Sequence, residues 1–152
     1  MNSTDTETKV YTLFSSLHQH TMGTRSRIGL QLAGDSILSV YHHWDGYPAW
    51  LGKTLKAQYN TKEKVAELID GGDMSSCWSD SIWGQQLPEG TFAPEYYADR
   101  GEDCPPALSS DLNDFFSIGE EYSYVFTSAG WVCYDMNQFN DKDPEVTAIP
   151  SN

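Results

Sequence analysis

The residues with the clearest chemical potential lie in one short block, Tyr41-His42-His43-Trp44-Asp45-Gly46-Tyr47-Pro48. Two of the four histidines stand here beside a carboxylate, a combination used in metal sites and in general acid–base catalysis. Adjacent strand residues point to opposite faces, so His42 and His43 cannot both ligate one ion from a regular strand. Only one of them could join Asp45, and no His-x-x-x-His spacing supplies a further zinc ligand. We therefore predict no metal site and no cofactor.

The same block has a structural interpretation, as the corner between a strand and a helix. An aspartate in a turn accepts backbone N–H bonds, and a glycine reaches backbone angles that other residues avoid. Loops at strand ends are also common places for ligand contacts. Both interpretations stay open at this point, and we take His43, Asp45 and Tyr47 as the candidate ligand-binding residues of the block.

Charged residues elsewhere give further candidates. Arg100 and Glu102 flank a glycine and could clamp a ligand, or they could form a local ion pair in a solvated turn. Arg25 and Arg27 flank the first predicted strand, where they could bind an anion near the sheet edge or pair with carboxylates of the chain itself. We add Arg25, Arg100 and Glu102 to the candidate ligand-binding residues.

Signatures of well-known catalytic sites are missing from the chain. It contains no Gly-x-x-x-x-Gly-Lys phosphate loop, no Gly-x-Ser-x-Gly nucleophile turn and no His-Glu-x-x-His pair. A nucleophile and its base therefore cannot be named, and the catalytic residues stay unknown. We expect the protein to act by binding rather than by catalysis.

Two hairpins are predicted from the alternation of apolar and polar residues. The first has a strand over 28–32, a tight turn at 33–35 and a return strand over 37–44. On the return strand one face carries Leu38, Val40, His42 and Trp44, and the other carries Ile37, Ser39, Tyr41 and His43. The second hairpin is predicted over 122–136, with a turn at Ser128-Ala129-Gly130.

Helical spacing fills the chain between the hairpins. Pro48 suits the first turn of a helix, where its missing N–H costs nothing. A second helix is expected after a cap at Asn60 and before Gly71-Gly72, and a short third helix after 109–110. Residues 73–107 are predicted to form a long irregular loop held by aromatic side chains, with a short helix around 94–99 as the alternative.

These elements predict an α+β domain, in which an antiparallel sheet built from two β-hairpins carries short helices on one face. The first 21 residues are predicted to be a dispensable N-terminal extension, because they are polar and the globular pattern starts after Met22. A single globular domain is expected over 22–136. Residues 137–152 are expected to form a flexible C-terminal tail.

Charge and composition exclude several classes of function. The net charge is −13, residues 1–72 carry seven acids and seven bases, and the whole excess lies in the second half. Because nucleic-acid phosphates require a basic face, we expect no direct binding to DNA or RNA. The acidic half either keeps the protein soluble or docks on a basic partner. Without a signal-like start or a membrane-spanning run, and with three scattered cysteines, a cytosolic protein with reduced thiols is expected.

The His-Trp-Asp-Gly-Tyr-Pro run at 43–48 is the most specific of several familiar segments. The others are 24–29, 55–61, 68–75, 100–102 and 120–122. These segments, with 39–42 directly before the first run, resemble a family of small uncharacterised proteins of tailed bacteriophages, including phages of cyanobacteria, and the match extends over residues 22–136. Members of that family usually begin near Met22, so the first 21 residues depart from the pattern. The resemblance implies a phage accessory protein in the cytoplasm of the infected bacterial cell, and it brings no reaction, cofactor or catalytic residue.

Two classes of function remain open. The first is non-catalytic binding to a host protein or a small signalling molecule, in host takeover or counter-defence, which the uneven acidity and the missing catalytic motifs favour. The second is a small hydrolase or nucleotide-modifying enzyme that uses the corner formed by His42, His43 and Asp45. The oligomeric state does not follow from the sequence.

A gel-shift titration of the purified protein against single-stranded and duplex DNA at low salt is expected to show no complex. Low salt strengthens the attraction of basic groups to phosphates, so this condition favours binding as far as possible. A basic protein of similar mass serves as the positive control. A retarded band at low protein concentration would reveal a basic groove and contradict the prediction.

Overall fold

The first hairpin forms where the alternation predicts it. The computed structural model describes residues 23–151, in which β1 (Ser26–Gln31) pairs antiparallel with β2 (Ile37–His42). A short 3-10 turn (Ala33–Asp35) joins the two strands. The register aligns the apolar positions of both strands on one face of the sheet, as in the pair Ile28 and Val40. The predicted first hairpin is confirmed.

The helices that follow β2 also lie where the sequence places them. A π-helical turn (Pro48–Gly52) begins at its proline and runs directly into α1 (Lys53–Gln58). α2 (Lys62–Asp70) begins after Thr61, whose hydroxyl accepts a backbone N–H of the first turn at 3.2 Å. The cap is therefore this threonine rather than the preceding Asn60, because its hydroxyl is the one that reaches the unpaired N–H groups.

The chain between α2 and the third helix forms strands, so the prediction of a long irregular loop over 73–107 was wrong. The elements are β3 (Met74–Ser79), β4 (Ser81–Ile82), β5 (Gln85–Gln86), β6 (Ala93–Tyr96), a 3-10 turn (Tyr97–Arg100) and β7 (Ala107–Ser109). β3 and β6 are antiparallel neighbours, but their register shifts twice. Such irregular pairing breaks the alternation by which a strand is recognised in a sequence.

The second predicted hairpin is confirmed. α3 (Leu112–Ser117) precedes it and begins after Asp111, whose carboxylate accepts the first-turn N–H of Asp114 at 2.8 Å. β8 (Tyr122–Thr127) then pairs antiparallel with β9 (Gly130–Asn140). A serine at 109–110 was the expected cap, and the aspartate one residue later takes that role.

The structure differs from the predicted domain boundaries at the C-terminal end. β9 continues past residue 136 and pairs with β10 (Asp143–Thr147), so part of the predicted flexible tail, 137–152, is an edge strand of the sheet. The predicted N-terminal extension, 1–21, lies outside the described residues. No helix within residues 23–151 is long and apolar enough to cross a membrane.

Eight strands form one sheet in the order β10-β9-β8-β1-β2-β3-β6, and β7 pairs with the first half of β2. Most neighbours are antiparallel, whereas β1 with β8 and β2 with β3 run parallel. β1 therefore lies in the middle and joins the two hairpins into one sheet. This mostly antiparallel sheet with a few short helices confirms the α+β class.

The two faces of the sheet are covered unequally. One face packs against α1 and α2 over the main core, which consists of Ile28, Leu30, Val40, Leu51, Leu55, Val65, Leu68, Ile69, Met74, Cys77, Tyr124 and Cys133. The opposite face has a small cluster of Ile37, Phe115 and Val125 under α3. Because α3 has six residues, about 9 Å at the α-helical rise, it covers only the middle of this second face.

We expect Gly72→Ala to destabilise the protein much more than Gly101→Ala. Both glycines have φ near 90°, at 87° and 89°, so both variants carry the cost of a left-handed alanine, about 1–2 kcal/mol. A Cβ on Gly72 would also collide with the backbone carbonyl oxygen of Cys104, whereas a Cβ on Gly101 meets nothing within 4 Å. The melting temperature of Gly72→Ala should lie about 5 °C or more below that of Gly101→Ala, a shift typical of 1–2 kcal/mol. Equal melting temperatures would contradict the close approach.

Candidate ligand-binding site

The second face of the sheet has a polar half on one side of α3. We call this surface the polar face and define it by Arg25, Arg27, Tyr41, His43 and Glu120. Arg27 lies opposite Tyr41 in the β1–β2 register, and alternation turns both side chains away from the main core. Arg27 and Tyr41 are half-buried, as are His43 and Glu120, while Arg25 is exposed. The polar face is thus built by β1, by the end of β2 and by the residue pair that precedes β8.

A hydrogen-bonded pair of neutral side chains lies at the centre of the polar face. The Tyr41 hydroxyl and His43 Nδ1 are 2.7 Å apart. Burial raises the pKa of Tyr41 to about 12, and burial together with the charge of Arg25 lowers the pKa of His43. Near neutral pH both groups are therefore uncharged. We assign the phenol as the donor and the imidazole as the acceptor, which places the ring proton of His43 on Nε2. His43 can offer this N–H to a ligand.

Arg27 is held by neutral groups. Its Nε donates to the Ser39 hydroxyl at 2.8 Å, and one terminal nitrogen donates to the Ser39 carbonyl at 3.5 Å. Burial lowers the pKa of Arg27, and the charges of Asp73 and Glu120 act in the opposite direction. A guanidinium has five N–H donors, so these two bonds leave others to be satisfied by water or by a ligand. The two bonds to Ser39 therefore orient the Arg27 side chain, and its remaining N–H groups can still bind a ligand.

Arg25 brings a second positive charge to the centre of the polar face. Its guanidinium lies close enough to Tyr41 and to His43 to lower the pKa of both groups. Its backbone N–H donates to the carboxylate of Glu121 at 3.2 Å, which fixes the start of β1 against the start of β8. Arg25 therefore lies beside the neutral Tyr41–His43 pair, and both arginines act on Glu120.

The carboxylates near the two arginines are engaged elsewhere or desolvated. Asp73 Oδ1 accepts the backbone N–H of Tyr41 at 2.9 Å, beyond the end of β7, where β2 would otherwise lack a partner. Burial raises the pKa of Glu120, and the charges of Arg25 and Arg27 counter that effect. Among residues 23–151, no carboxylate oxygen lies within 4.0 Å of either guanidinium. The charges of Arg25 and Arg27 are therefore offset only by more distant carboxylates, and both guanidinium groups can still bind an anion.

The other two charged candidates, Arg100 and Glu102, adjoin this surface. They pair with each other, since Arg100 Nε donates to a Glu102 carboxylate oxygen at 2.7 Å. The guanidinium also stacks 4.1 Å above the Trp83 ring and 5.4 Å from the Tyr97 ring. Tyr97 in turn lies close enough to Tyr41 to contribute to its raised pKa. The ion pair therefore forms a border of the polar face, and its own groups satisfy each other.

His42, the neighbour of His43 in the chain, lies in the core and is not part of the polar face. The side chain of His42 is fully buried, and its Nε2 accepts the backbone N–H of Cys77 at 3.1 Å. Burial, with the neighbouring His43, lowers the pKa of His42 to about 3, so the ring is neutral under physiological conditions. Its proton must then be on Nδ1, which has no hydrogen-bond partner among the described residues. His42 connects β2 to β3 inside the core and does not reach a surface.

The turn at Asp45 and Gly46 closes this corner. Asp45 has φ 54°, and the backbone of Gly46 donates to the Thr24 carbonyl at 2.7 Å and accepts the Tyr124 hydroxyl at 2.7 Å. A side chain on Gly46 would collide with Ser26. These contacts favour the structural interpretation of the turn.

The residues on either side of this turn, Trp44 and Tyr47, differ in their environment. Tyr47 begins the helical turn, where its carbonyl accepts the backbone N–H groups of Trp50 and Leu51. Trp44, expected on the face of Val40, is 41% exposed because β2 ends two residues earlier.

The structure thus divides the six candidate residues into three groups. Arg25 and His43 lie together on the polar face, Arg100 and Glu102 form its border, and Asp45 and Tyr47 belong to the corner. Sequence reasoning did not select Tyr41, Asp73, Tyr97 or Glu120. The alternation along β2 places Tyr41 on the same face as His43 and could have identified it. The other three residues come close to the polar face only through contacts between segments that are distant in the sequence. Within residues 23–151, no group of three or more histidine, cysteine, aspartate or glutamate side chains is placed to hold a metal ion.

We expect the two adjacent histidines to hold opposite tautomers, with the proton on Nδ1 in His42 and on Nε2 in His43. The partners at Cys77 N–H and Tyr41 O–H dictate this difference. In a ¹⁵N NMR titration from pH 8 to pH 4, His42 should not titrate, because its pKa is about 3.

The low pKa of His42 also makes folding sensitive to acid. Since an unfolded histidine titrates near 6.5, its contribution to the free energy of unfolding is complete above about pH 6.5 and is lost as the pH falls towards 3. A His42 titration midpoint above pH 5 would contradict its burial.

Comparisons with known protein families, with curated proteins and with solved structures find no match to this chain. A function must therefore be inferred from the chemistry of the polar face. That chemistry consists of two accessible guanidinium groups and a neutral Tyr–His pair, bordered by desolvated or engaged carboxylates.

Proposed function

We propose that the protein is a small acidic phage accessory protein that acts by binding in the cytoplasm of the infected bacterial cell. Its ligand is a small molecule with a phosphate or carboxylate group, and this group sits on the polar face. The observation that carries the proposal is Arg27, a half-buried guanidinium fastened to the neutral Ser39 instead of to a carboxylate. Desolvating a cation is costly unless an anion or water compensates it, so the arrangement suits an anionic ligand.

The donors around Arg27 support the same ligand chemistry. His43 carries a ring N–H on Nε2 for which residues 23–151 supply no hydrogen-bond partner, Arg25 supplies a second guanidinium, and both lie beside the Tyr41 hydroxyl. Guanidinium groups bind phosphate and carboxylate oxygens through paired, charge-assisted hydrogen bonds. Because His43 is neutral, it can donate without adding a third positive charge. The polar face thus offers several donors of the kind that an anionic group requires.

The charge of the whole chain favours a small ligand over a nucleic acid. The net charge of −13 repels a polyanion that approaches along the surface. A single phosphate or carboxylate is attracted mainly by the two arginines that it touches, because charges farther than about 8 Å are largely screened at physiological salt. Of the two binding partners that the sequence favours, a host protein and a small signalling molecule, the polar face supports the small molecule.

The enzymatic alternative, a hydrolase or nucleotide-modifying enzyme that uses His42, His43 and Asp45, has less support. His42 is buried with its Nε2 bonded to a backbone N–H, so it cannot exchange a proton with a surface ligand. His43 faces the opposite side of the sheet, and its Nδ1 is bonded to Tyr41. The three groups therefore do not converge on one reacting atom, as general acid–base catalysis requires.

Arg27→Gln is expected to weaken the binding of a phosphorylated small molecule by roughly 10- to 150-fold, the equivalent of about 1.5–3 kcal/mol for a hydrogen bond to a charged group. The probes are inorganic phosphate and a panel of mono- and cyclic nucleotides, measured by calorimetric titration. Glutamine keeps one donor towards Ser39 and removes the charge. Lys62→Gln, an exposed cation at the start of α2, is the matched control and should bind as the unchanged protein does.

Small molecules extracted from protein purified from infected cells and identified by mass spectrometry supply the natural candidates. Equal affinity of Arg27→Gln and the unchanged protein for such a molecule would contradict the proposed site. Turnover of that molecule by the unchanged protein would favour the enzymatic alternative.

A further inference from the structure

An open cleft lies on the other side of α3, at the opposite end of the same sheet face. Its volume is about 670 Å³, within the range of ligand- and peptide-binding cavities. We call it the acidic cleft. Its floor is apolar and consists of Ile37, Leu112, Phe116, Val125, Pro144 and Val146. Its rim carries Asp35, Asp111 and Asp143, and no lysine or arginine of residues 23–151 lines it.

The cleft exists because α3 is too short to cover the apolar end of this face. Phe115 points into the sheet and is fully buried against Ile37 and Val125. The next residue of the helix, Phe116, stays half-buried beside Tyr134 of β9, with ring centroids 4.9 Å apart. Beyond it the edge strand β10 presents Val146, which is 65% exposed. A strip of apolar surface is therefore left open between the helix and the edge strand.

The three aspartates come from separate elements and gather around this apolar strip. Asp35 lies in the β1–β2 turn, Asp111 caps α3, and Asp143 begins β10. Asp111 uses one oxygen for the helix cap and keeps its negative charge towards the rim. Lys142 is adjacent in the β9–β10 turn but does not line the cleft. Among the described residues, every charged side chain that lines the cleft is thus negative.

We propose that the acidic cleft docks a basic amphipathic segment of a partner protein. The apolar side chains of the segment fill the floor, and its lysine or arginine side chains meet the three aspartates. Apolar anchors in a groove with complementary charges at the rim are the usual features of such recognition, in which the charges mainly set specificity and association rate. This interaction goes beyond the small-molecule ligand of the polar face and does not depend on it.

Charge complementarity selects this occupant over a second copy of the chain. The chain carries 22 acidic and only 9 basic residues, so two copies would bring like charges together at the rim. A basic segment gains attraction from the same rim. A small polyamine would match the charges but would leave the apolar floor exposed to water.

The test uses fluorescence anisotropy with a labelled 14-residue peptide of leucine and lysine in amphipathic helical order, titrated with the full-length protein at physiological salt. A peptide with glutamate in place of lysine is the charge control and should not bind. Neutralising the rim with Asp35→Asn, Asp111→Asn and Asp143→Asn should weaken binding by about tenfold or more, since rim charges steer association. Asparagine at position 111 still caps the helix, so folding should be retained.

Matched variants separate this site from general attraction to an acidic protein. Asp80→Asn, Glu89→Gln and Asp99→Asn together change the net charge by the same three units at exposed positions outside the cleft, and they should leave binding unchanged. Val146→Ser should weaken binding several-fold, whereas Leu108→Ser, at a similarly exposed position (67% against 65%), should not.

Three outcomes would overturn the proposal. The first is equal loss of binding in the two charge-neutralised variants, which would mean that the peptide senses only the net charge. The second is equally effective competition by spermine, which would mean that the apolar floor plays no part. The third is self-association of the unchanged protein that Val146→Ser abolishes, which would assign the cleft to a second copy. If the unchanged protein binds the small anion but not the peptide, the proposal for the acidic cleft fails and the proposal for the polar face stands.

Discussion

The parallel pairing of β1 with β8 is the constraint on which the rest of the structure depends. It joins residues 26–30 to residues 122–126, about 96 positions apart in the sequence, and it makes one sheet of two separate hairpins. Parallel neighbours need a long crossover between them, and here the crossover contains strands that extend the sheet and the helices that cover it. The pairing also brings the start of β8 beside the start of β1, so that Arg25 reaches Glu121 and its neighbour Glu120. Without it neither the polar face nor the acidic cleft would exist.

Alternation along β2 gives its adjacent histidines opposite roles. His42 points into the main core, where burial keeps it neutral and its ring nitrogen satisfies a backbone donor of β3. His43 turns to the other side and bonds to Tyr41, which leaves it a donor at the surface. The same two residues that suggest a metal site in the sequence therefore act separately. The geometric argument from strand alternation predicts this separation correctly, whereas it does not predict that Trp44 lies outside the strand.

Local patterns were sufficient to predict both hairpins and the first two helices, because these elements follow regular apolar spacing and recognisable caps. They were insufficient for β3 and β6, whose bulged pairing interrupts the alternation, and for β10, whose sequence Asp-Pro-Glu-Val-Thr is polar and carries a proline that is tolerated on an edge. Only part of the polar face was named from the sequence. Arg25 and His43 follow from the strand pattern, but the approach of Glu120 and Tyr97 depends on the order of strands, which no local pattern determines.

The position of α3 explains how one sheet face carries two chemically different surfaces. Along β1, Arg27 belongs to the polar face, Gly29 lies beneath Phe115 of α3, and Gln31 lines the acidic cleft. A side chain at Gly29 would meet Ile37 at 2.8 Å, so the glycine allows the helix to sit close to the sheet and divide it. Four residues of strand separate Arg27 from Gln31 by roughly 13 Å, which exceeds the screening length of about 8 Å at physiological salt. Solvent-exposed charges this far apart are largely screened from each other, so an anion at one end would have little effect on the acidic rim at the other.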